Sequence, residues 1–314
     1  MSQSPSHWPV LYPRANGVWT LRCGDRWGVL DPETGRVEQV DPTTDRRLPG
    51  LAAASREGQL CGYRAGRRAI VAAPTSFIKV VRPDRVDTLV RRHALLDSSE
   101  LSFAVPRVLD AAIDGRVELS VMAGQSLHHC IRADPSRSLA DVGALIAALH
   151  RHPLPSWLPV RQPDNPKSWV ASSRRWPTGH QAMIERAATQ LPELRPRAEV
   201  VVHGDLHDKN IFCSPAHLSL IDLDGLALGA PEDDVANLAV HLELRNLQAR
   251  TGLAVGTRTK SLYDAYMRVE PLDHERLRAV EAHTWFRLAC LYQYRTASER
   301  LVHTLLRLAT GQQR

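Results

Sequence analysis

Apolar and polar positions alternate along much of the first 123 residues, and this period of two is typical of half-buried β-strands. The stretches VWTLRC and RWGVL alternate in this way, and the turn signal DPETG follows them before RVEQV. Further strands are predicted by LCGYRAGRRAIVA, in which a turn joins two strands, by SFIKVV, which carries Lys79, and by RVELSVMAG, which ends at Gly124. RVDTLVRRHALLDSS instead predicts a helix, because its apolar residues have helical spacing.

The pattern changes to a helical period after Gly124. SLADVGALIAALHRH predicts a helix with Ser138 as its N-cap, GHQAMIERAATQLPEL predicts another, and the pattern from EDDVANLAVHLELRNLQAR to the end of the chain is helical. The Pro-rich stretch HPLPSWLPVRQPDNP predicts a loop. The sequence therefore predicts an α+β protein with a β-rich first part and a mostly helical second part.

A short polar loop interrupts an apolar stretch in VVHGDLHDKNIF, residues 201–212. Its residues His203, Asp205 and Asn210 have the spacing H-x-D-x-x-x-x-N, and Asp222 follows at the end of the apolar run LSLI. Phosphoryl transfer by kinases uses such a set, with one Asp for the acceptor hydroxyl and an Asn and a second Asp for Mg²⁺. Carboxylate and amide oxygens are ligands that Mg²⁺ prefers. The spacing therefore predicts a phosphoryl-transfer site.

At these residues the chain resembles the aminoglycoside phosphotransferase and choline kinase-like family. VVHGDLHDKNIF, LIDLDGLALG and PEDDVANLA match that family's catalytic loop, metal-binding loop and following helix. More loosely, YRAGRRAIV is similar to its first hairpin, FIKVV to its lysine strand, ELSVMAGQSLHH to its hinge and ALIAALHRHPLP to its first C-lobe helix. The resemblance implies a two-lobed protein-kinase-like fold. Residues 1–123 would form a β-rich, nucleotide-binding N-lobe, and residues 124–314 a mostly helical C-lobe with the catalytic loop and acceptor site.

The resemblance also implies a role for each matching residue. Asp205 would be the catalytic base or orient the acceptor, while His203 and Asp234 would brace its loop. Two further sets of residues would bind cofactors. Mg²⁺ would be bound by Asn210, Asp222 and Asp224, and the nucleotide by Lys79, Gly62, Gly66, Met122 and Gly124. The donor would be ATP, with GTP as the alternative, and the backbone of residues 119–124 would bind the purine.

Two features depart from the family's pattern. The first loop, GYRAG, has fewer glycines than the G-x-G-x-x-G of protein kinases. The helix after Lys79 has no obvious glutamate for that lysine, because His93 occupies the expected position and Asp87 lies about a turn and a half earlier. The acidic partner of Lys79 is therefore left open, and the extra β-rich segment before Leu51 has no assigned role.

Composition and charge narrow the classes of partner. The 314-residue chain has a net charge of +6 and a pI of about 9.3, which makes nucleic acid the first partner to consider. Its arginines are spread along the chain and aromatic residues make up only 5%, which argues against a base-stacking surface. No apolar run reaches the roughly 18 residues of a membrane span. Five scattered cysteines without a CxxC pair, and a start without signal-peptide features, favour the reducing cytoplasm.

The sequence indicates the charge of the acceptor rather than its identity. Between Arg245 and Arg314 there are twelve Arg plus Lys residues against six Asp plus Glu. A pocket for a polycationic aminoglycoside would be rich in carboxylates, because opposite charges attract. We therefore expect a neutral or anionic hydroxyl compound, or an acidic peptide, to be the preferred substrate.

Two other functions stay open. One is a peptide or protein Ser/Thr kinase of the same fold, although no long activation loop or A-P-E element separates Asp222 from PEDDVANLA. The other is a non-catalytic nucleotide-binding scaffold, which the intact Asp205, Asn210 and Asp222 disfavour. The sequence gives no indication of the oligomeric state.

Overall fold

The first element of the fold is a small antiparallel sheet. The structure of the protein, a computed structural model, describes residues 10–12, 18–31, 34–97, 101–134, 136–175, 178–249, 255–295 and 299–312. The N-terminal sheet has the order β1-β2-β3-β4 and consists of β1 (Val10–Tyr12), β2 (Trp19–Cys23), β3 (Arg26–Leu30) and β4 (Val37–Val40). The β-rich character predicted for residues before 51 is thereby confirmed.

A second antiparallel sheet, of five strands in the order β5-β6-β7-β10-β9, forms the centre of the N-terminal lobe. Its strands are β5 (Gln59–Arg64), β6 (Arg68–Ala72), β7 (Ser76–Val81), β9 (Val108–Ala111) and β10 (Arg116–Ser120). Helix α1 (Leu51–Glu57) precedes the sheet, and α2 (Val86–Asp97) follows β7 and leads to the short strand β8 (Phe103–Ala104). The predicted hairpin, lysine strand and following helix are confirmed.

Alternation along β7 sends successive side chains to opposite faces of the five-stranded sheet. Ile78 and Val80 are buried with residues of α1 and with Trp27 of β3. Val81 is buried on the other face with residues of α2. Lys79 shares that second face and is only 3% exposed. The period of the strand therefore turns the lysine towards α2 and the C-terminal lobe.

Two small sheets of the C-terminal lobe frame the predicted site loops. The first has the order β11-β13-β14-β8, with β11 (Gln125–Ser126), β13 (Ile211–Cys213) and β14 (Leu218–Leu220); in the second, β12 (Val200–Val202) pairs with β15 (Ala227–Gly229). The predicted catalytic loop runs from β12 to β13, and the predicted metal-binding loop runs from β14 to β15.

Helices form the rest of the C-terminal lobe in the described residues. They are α3 (Leu127–Ala133), α4 (Ala140–His150), α5 (Pro166–Arg175), α6 (Gln181–Gln190), α7 (Pro231–Ala249), α8 (Val255–Met267), α9 (His274–Tyr292) and α10 (Glu299–Ala309). Buried apolar residues of α4, α7 and α8 form one core with the small sheets, and those of α5, α6, α9 and α10 form a second. Among the helices so described, none has the length and apolar character to cross a membrane.

The N-terminal sheet contacts both lobes. Trp19 and Leu21 of β2 are buried on one face with Tyr294, which follows α9, and the rings of Trp19 and Tyr294 lie 4.5 Å apart, edge to face. On the other face, the Thr20 hydroxyl accepts a 2.9 Å hydrogen bond from the N–H of Ala65 in the β5–β6 turn. The alternation of β2 therefore places this strand between the hairpin and the C-terminal helices.

The predicted α+β class is confirmed, and three local predictions differ from the structure. The N-cap of α4 is Leu139 rather than Ser138. Strand β10 ends at Ser120, before Gly124. Helix α5 was not predicted, because its first residue, Pro166, closes a Pro-rich stretch; proline is nevertheless suited to the first helical turn, where its missing N–H has no partner to lose.

Candidate active site

A cleft of about 620 Å³ lies between the β5–β6 hairpin and the C-terminal helices. Three predicted site residues line it, namely Asp205 of the catalytic loop and Asp222 and Asp224 of the metal-binding loop. A cavity of this size accommodates a small-molecule ligand. Residues of the two predicted loops therefore meet at one cavity.

Two carboxylates of the metal-binding loop balance two cations from the five-stranded sheet. The Lys79 ammonium lies 2.7 Å from Asp222 Oδ1 and also donates to Asp224 Oδ1. The Arg68 guanidinium donates to Asp222 Oδ1 at 3.0 Å and to Asp224 Oδ2 at 2.6 Å. His93, at the position expected for a glutamate, is buried with its Nδ1 2.7 Å from a backbone carbonyl oxygen. The acidic partners of Lys79 are therefore the two loop aspartates.

The backbone of Asp222 has a conformation that is uncommon outside glycine. With φ of 62° and ψ of 56°, it is the non-glycine residue with positive φ among those the structure describes. Such conformations concentrate at functional sites, and Asp tolerates them better than most residues. Burial raises the pKa of Asp222 and of Asp224, but Lys79 and Arg68 outweigh it and hold both pKa values below the ordinary range. Both carboxylates are therefore ionised, as a cation-binding pair requires.

The catalytic loop exposes Asp205 and turns Asn210 back towards it. Asn210 Nδ2 donates a 3.0 Å hydrogen bond to the backbone oxygen of Asp205, so the amide oxygen is the atom that can coordinate a cation. The imidazole of His203 is buried, and its Nε2 lies 2.8 Å from the backbone oxygen of Ile221. His203 thereby links the catalytic loop to the residue that precedes Asp222.

Asp234, in the first turn of α7, holds the catalytic loop by its backbone. Its carboxylate accepts hydrogen bonds from the N–H groups of His203, at 2.6 Å, and Gly204, at 2.9 Å. Burial raises the pKa of Asp234, but His150, 3.3 Å away, and His203 outweigh it and hold the pKa below its ordinary value. Gly204 has φ of 81°, and a side chain there would collide with the backbone oxygen of Gly225, so glycine is needed where the two loops touch.

Further polar residues hold the catalytic loop from α7 and α9. Asn237 Nδ2 donates to the backbone oxygen of Leu206 at 2.7 Å, and Arg287 donates to Asn237 Oδ1 at 2.7 Å. Asp208 is fully buried and accepts a 2.8 Å hydrogen bond from Arg245 Nε. These contacts were not predicted from the sequence. They fix the loop on both sides of the exposed Asp205.

The predicted hinge residues and hairpin glycines do not line this cleft, although three arginines of the same hairpin do. Gly62 stands at a register shift of β5, Gly66 lies in the turn before β6, and Met122 is half-buried before β11. Gly124 has φ of 93°, and a Cβ there would collide with a backbone oxygen of β13. None of these four is among the described residues that line the cleft with Asp205. The structure brings the catalytic and metal-binding residues together but not the hinge residues with them.

The sequence model of the phosphotransferase enzyme family matches residues 70–280, which is more than half of the chain. The protein belongs to this family. The family that the motifs of this phosphotransferase indicated is thereby confirmed. No curated protein matches its sequence significantly.

Solved structures resemble this phosphotransferase over most of its length. A microcompartment-associated aminopropanol kinase gives a TM-score of 0.55 at 17% identity, over 83% of this chain and 94% of its own. The aminoglycoside phosphotransferase APH(3'')-Id from Streptomyces rimosus gives 0.52 at 20% identity, over 78% and 97%. The ternary complex of APH(2")-IIa with streptomycin and ATP gives 0.51 at 12% identity, over 85% and 95%. At these identities the likeness shows the fold alone, which is the predicted protein-kinase-like fold.

The metal-ligating oxygen atoms of this phosphotransferase suit a hard divalent cation that also binds oxygen ligands from another molecule. In the described part of the chain, no group of three or more His, Cys, Asp or Glu side chains is placed to hold a metal ion. Asp222, Asp224 and Asn210 offer carboxylate and amide oxygens, and both carboxylates already attract positive charge. Proteins bind Mg²⁺ with one or two carboxylates and the phosphates of a nucleotide. The residues therefore fit Mg²⁺ that arrives with a nucleotide.

Positive residues line the cleft of the phosphotransferase in a way that sequence analysis did not predict. They are Arg64, Arg67, Arg68, Lys209, Arg245, Arg287 and Arg295. The hairpin sequence YRAGRRAIV contained a signal for three of them, because three arginines stand close together around one short turn. The positive residues from the C-terminal lobe are far apart in the sequence. The arginines that are spread along the chain are therefore gathered by the fold.

Proposed function

We propose that the protein is a Mg²⁺-dependent kinase that transfers the γ-phosphoryl group of ATP to a hydroxyl group of a small molecule. The observation that carries this proposal is the meeting of Asp205, Asp222 and Asp224 at one cleft, with Lys79 and Arg68 bound to the latter two. Phosphoryl transfer requires a positioned acceptor hydroxyl and compensation of phosphate charge. The site contains groups suited to both tasks, and the family match supports the same reaction.

Asp205 is the residue proposed to meet the acceptor. A bond forms between the acceptor oxygen and the γ-phosphorus, the bond from phosphorus to the β–γ bridging oxygen breaks, and the acceptor proton passes to the Asp205 carboxylate. Asn210 and Asp234 hold this carboxylate in place through bonds to the loop backbone, and the His203 ring ties the loop to Ile221. The aspartate side chain is thereby left for the substrate.

The second loop is proposed to carry the cation. Asn210, Asp222 and Asp224 would hold Mg²⁺, which supplies positive charge to the β- and γ-phosphate oxygens. Lys79 would contact the α- and β-phosphates, since it already reaches the metal-binding carboxylates from the sheet. The buried ammonium therefore acts as a fixed positive charge for the donor.

The rest of the donor is proposed to lie against the hinge and the hairpin. The base would contact Met122 and Gly124, and the hairpin with Gly62 and Gly66 would cover the phosphates. In this proposal the nucleotide binds mainly to residues 1–123 and the acceptor to residues 124–314. The division falls between β10 and β11. A similar structure is a complex with ATP, which favours ATP over GTP. All five cysteines are free, which suits the reducing cytoplasm.

A phosphoryl-transfer screen tests this proposal. Labelled ATP or GTP with Mg²⁺ would be offered to aminoglycosides, amino sugars, choline-like alcohols, nucleosides and a Ser/Thr peptide. We expect transfer to at least one small hydroxyl compound. The rate of this transfer should be lower in Asp205→Asn by on the order of 10²–10⁴-fold, the usual range for a general acid–base group. Asp110→Asn, which removes an exposed carboxylate from β9, is the matched control and should leave transfer unchanged.

The outcomes of this screen separate the alternative functions. Transfer to the peptide alone would identify a peptide kinase of the same fold. Nucleotide binding without transfer to any acceptor, and without hydrolysis of ATP, would identify a scaffold. Equal turnover in Asp205→Asn and the wild type would remove Asp205 from the mechanism.

A further inference from the structure

The cleft is strongly positive. Seven arginine or lysine side chains line it in the described part of the chain, against three aspartates. A cleft with this balance focuses a positive potential that attracts anions and repels polycations. Three of the seven, Arg245, Arg287 and Arg295, belong to the basic C-terminal part of the sequence.

Part of this positive charge is balanced within the protein. Arg68 pairs with the two metal-binding carboxylates, Arg245 pairs with the buried Asp208, and Arg287 lies 3.1 Å from Asp164. These pairs fix the site loops. The charge of these pairs is balanced without a ligand. An anionic ligand would therefore bind to other cations of the cleft.

Arg64 and Arg295 lack a carboxylate partner among the described residues. The Arg64 guanidinium stacks 3.3 Å from the ring centroid of Tyr12, and its Nη1 is buried with no hydrogen-bond partner in the described part of the protein. Arg295, which follows α9, stacks on Tyr292. Burial, and the nearby charges of Arg68 and Arg295, lower the pKa of Arg64 to about 10. Two guanidinium groups, one from each lobe, thus line the same cleft.

A buried histidine of α7 independently indicates a ligand. His241 lines the cleft at 8% exposure, and neither ring nitrogen has a hydrogen-bond partner among the residues described. Buried polar atoms in native structures are almost always hydrogen-bonded, to protein or to a bound molecule. Burial, with the charges of Arg287 and Arg245, holds the pKa of His241 well below its ordinary value. The neutral ring can therefore donate one hydrogen bond and accept another from a ligand.

We propose that the phosphoryl acceptor is a hydroxyl compound that carries an anionic group, a carboxylate or a phosphate. This inference rests on the proposed function and names the substrate class of the same site. The anionic group binds Arg295, while Arg64 adds positive charge from the hairpin side of the same cleft. A polar group of the acceptor bonds to His241, and the reacting hydroxyl faces Asp205. Guanidinium groups suit this role because their paired N–H donors match the two oxygens of such an anion.

The phosphates of the donor do not account for Arg295. Lys79 and Arg68 already stand at the metal-binding carboxylates, where the β- and γ-phosphates are proposed to lie. Arg295 instead follows the C-terminal helix α9, on the side of the cleft assigned to the acceptor. Its expected partner is therefore an anion of the acceptor.

Related acceptors with and without an anionic group test the proposal. The pairs are ribose with ribose 5-phosphate, glucose with gluconate, and adenosine with its 5'-monophosphate, and kanamycin serves as a polycation. The values of kcat and KM would be measured with Mg²⁺-ATP for the wild type, Arg295→Gln, Arg295→Lys and Arg186→Gln. The last variant removes an exposed positive charge from α6, away from the cleft. Calorimetry with ADP-loaded Asp205→Asn measures acceptor binding independently of turnover.

We expect an anionic acceptor to be preferred at least tenfold over its neutral partner. Arg295→Gln should raise the KM for that acceptor by about tenfold or more, because a charge-assisted hydrogen bond is lost. Arg295→Lys should retain most of the preference, and Arg186→Gln should retain all of it. The KM for ATP should be the same in all four proteins.

Several results would contradict the proposal. Preference for a neutral acceptor or kanamycin would overturn it and leave the phosphotransferase reaction standing. So would equal calorimetric affinity for anionic and neutral partners, or an effect of Arg295→Gln on the KM for ATP alone. Failure of the wild type to bind Mg²⁺-ATP would overturn the proposed function, and this inference with it, and calorimetry distinguishes that case from the others.

Discussion

Single residues of the site show how a buried ammonium is stabilised. Lys79 is 3% exposed, and a buried charge needs a partner of opposite sign. A helix glutamate supplies that partner in protein kinases. Here Asp222 and Asp224 supply it and share it with Arg68. Each of these carboxylates balances the lysine, and the proposed function gives it a second role as a ligand of Mg²⁺.

Replacement of Asp222 tests the second of these roles. We expect Asp222→Asn, which tolerates the left-handed backbone but removes the charge, to abolish the dependence of ATP affinity on Mg²⁺. Calorimetry of ATP binding with Mg²⁺ and with a chelator measures this, and Asp110→Asn is the matched control. If Mg²⁺ strengthens ATP binding in Asp222→Asn as much as in the wild type, Asp222 is not a ligand of the cation.

Among the elements, helix α7 positions the catalytic loop. Asp234, Asn237, His241 and Arg245 follow one another at intervals of three, four and four residues, so they lie on one face of the helix. Three of them bond to the catalytic loop, and His241 lines the cleft between them. One polar stripe of a single helix therefore both holds the loop and forms a wall of the cavity.

The ion pair at the far end of this stripe should contribute measurable stability. Asp208 is fully buried against Arg245, so Asp208→Asn should lower the free energy of unfolding at pH 7 by about 3 kcal/mol, because a buried charge loses its partner. The matched control is Asp141→Asn, whose pair with Arg137 is exposed and should contribute less than about 1 kcal/mol. Denaturant unfolding of both variants measures these values.

The contribution of Asp208 should also depend on pH. Burial raises the pKa of Asp208, but Arg245 and His128 outweigh it and hold the pKa below its ordinary value. The stabilisation is therefore fully present above the pKa of an unfolded aspartate, about 4, and is lost as the pH falls through the lower folded value. The difference between the wild type and Asp208→Asn should shrink below about pH 4, and a difference that grows there would contradict this assignment.

The sequence predicted local features of these elements better than contacts between them. Asp205, Asn210 and Asp222 could be predicted because their spacing within two short loops is itself the signal. The polar stripe of α7 could also have been found, since its period is visible in PEDDVANLAVHLELR. It could not be predicted that Arg64 and Arg295 line one cleft, because they are far apart in the sequence and only the tertiary fold brings both to it.

The whole molecule is held together by the N-terminal sheet as well as by the hinge. Strand β2 binds the β5–β6 hairpin with one face and Tyr294 with the other. Tyr12 of β1 lines the cleft beside Arg64. The role of this segment, which the family resemblance left open, is therefore to connect the two lobes beside the cavity.

A double-mutant cycle measures this connection. Trp19→Ala should lower the free energy of unfolding by about 3–5 kcal/mol, because a fully buried tryptophan is lost. Combination with Tyr294→Ala should reveal a coupling energy of about 0.5–1.5 kcal/mol for the edge-to-face pair. Tyr263→Ala, in α8, is the matched control, and its effect should be additive with that of Trp19→Ala. Additivity with Tyr294→Ala as well would mean that the sheet is not coupled to the C-terminal lobe.

This second connection should affect how the cleft opens. A cleft with one hinge opens by rotation about that hinge, whereas here the chain between β10 and β11 and the contact of Trp19 with Tyr294 join the lobes at two separate places. The two lobes are thus joined both by the chain itself and by a packed aromatic contact. Rotation of one lobe against the other would strain the contact of Trp19 with Tyr294, so we expect the N-terminal sheet to limit how far the cleft can open.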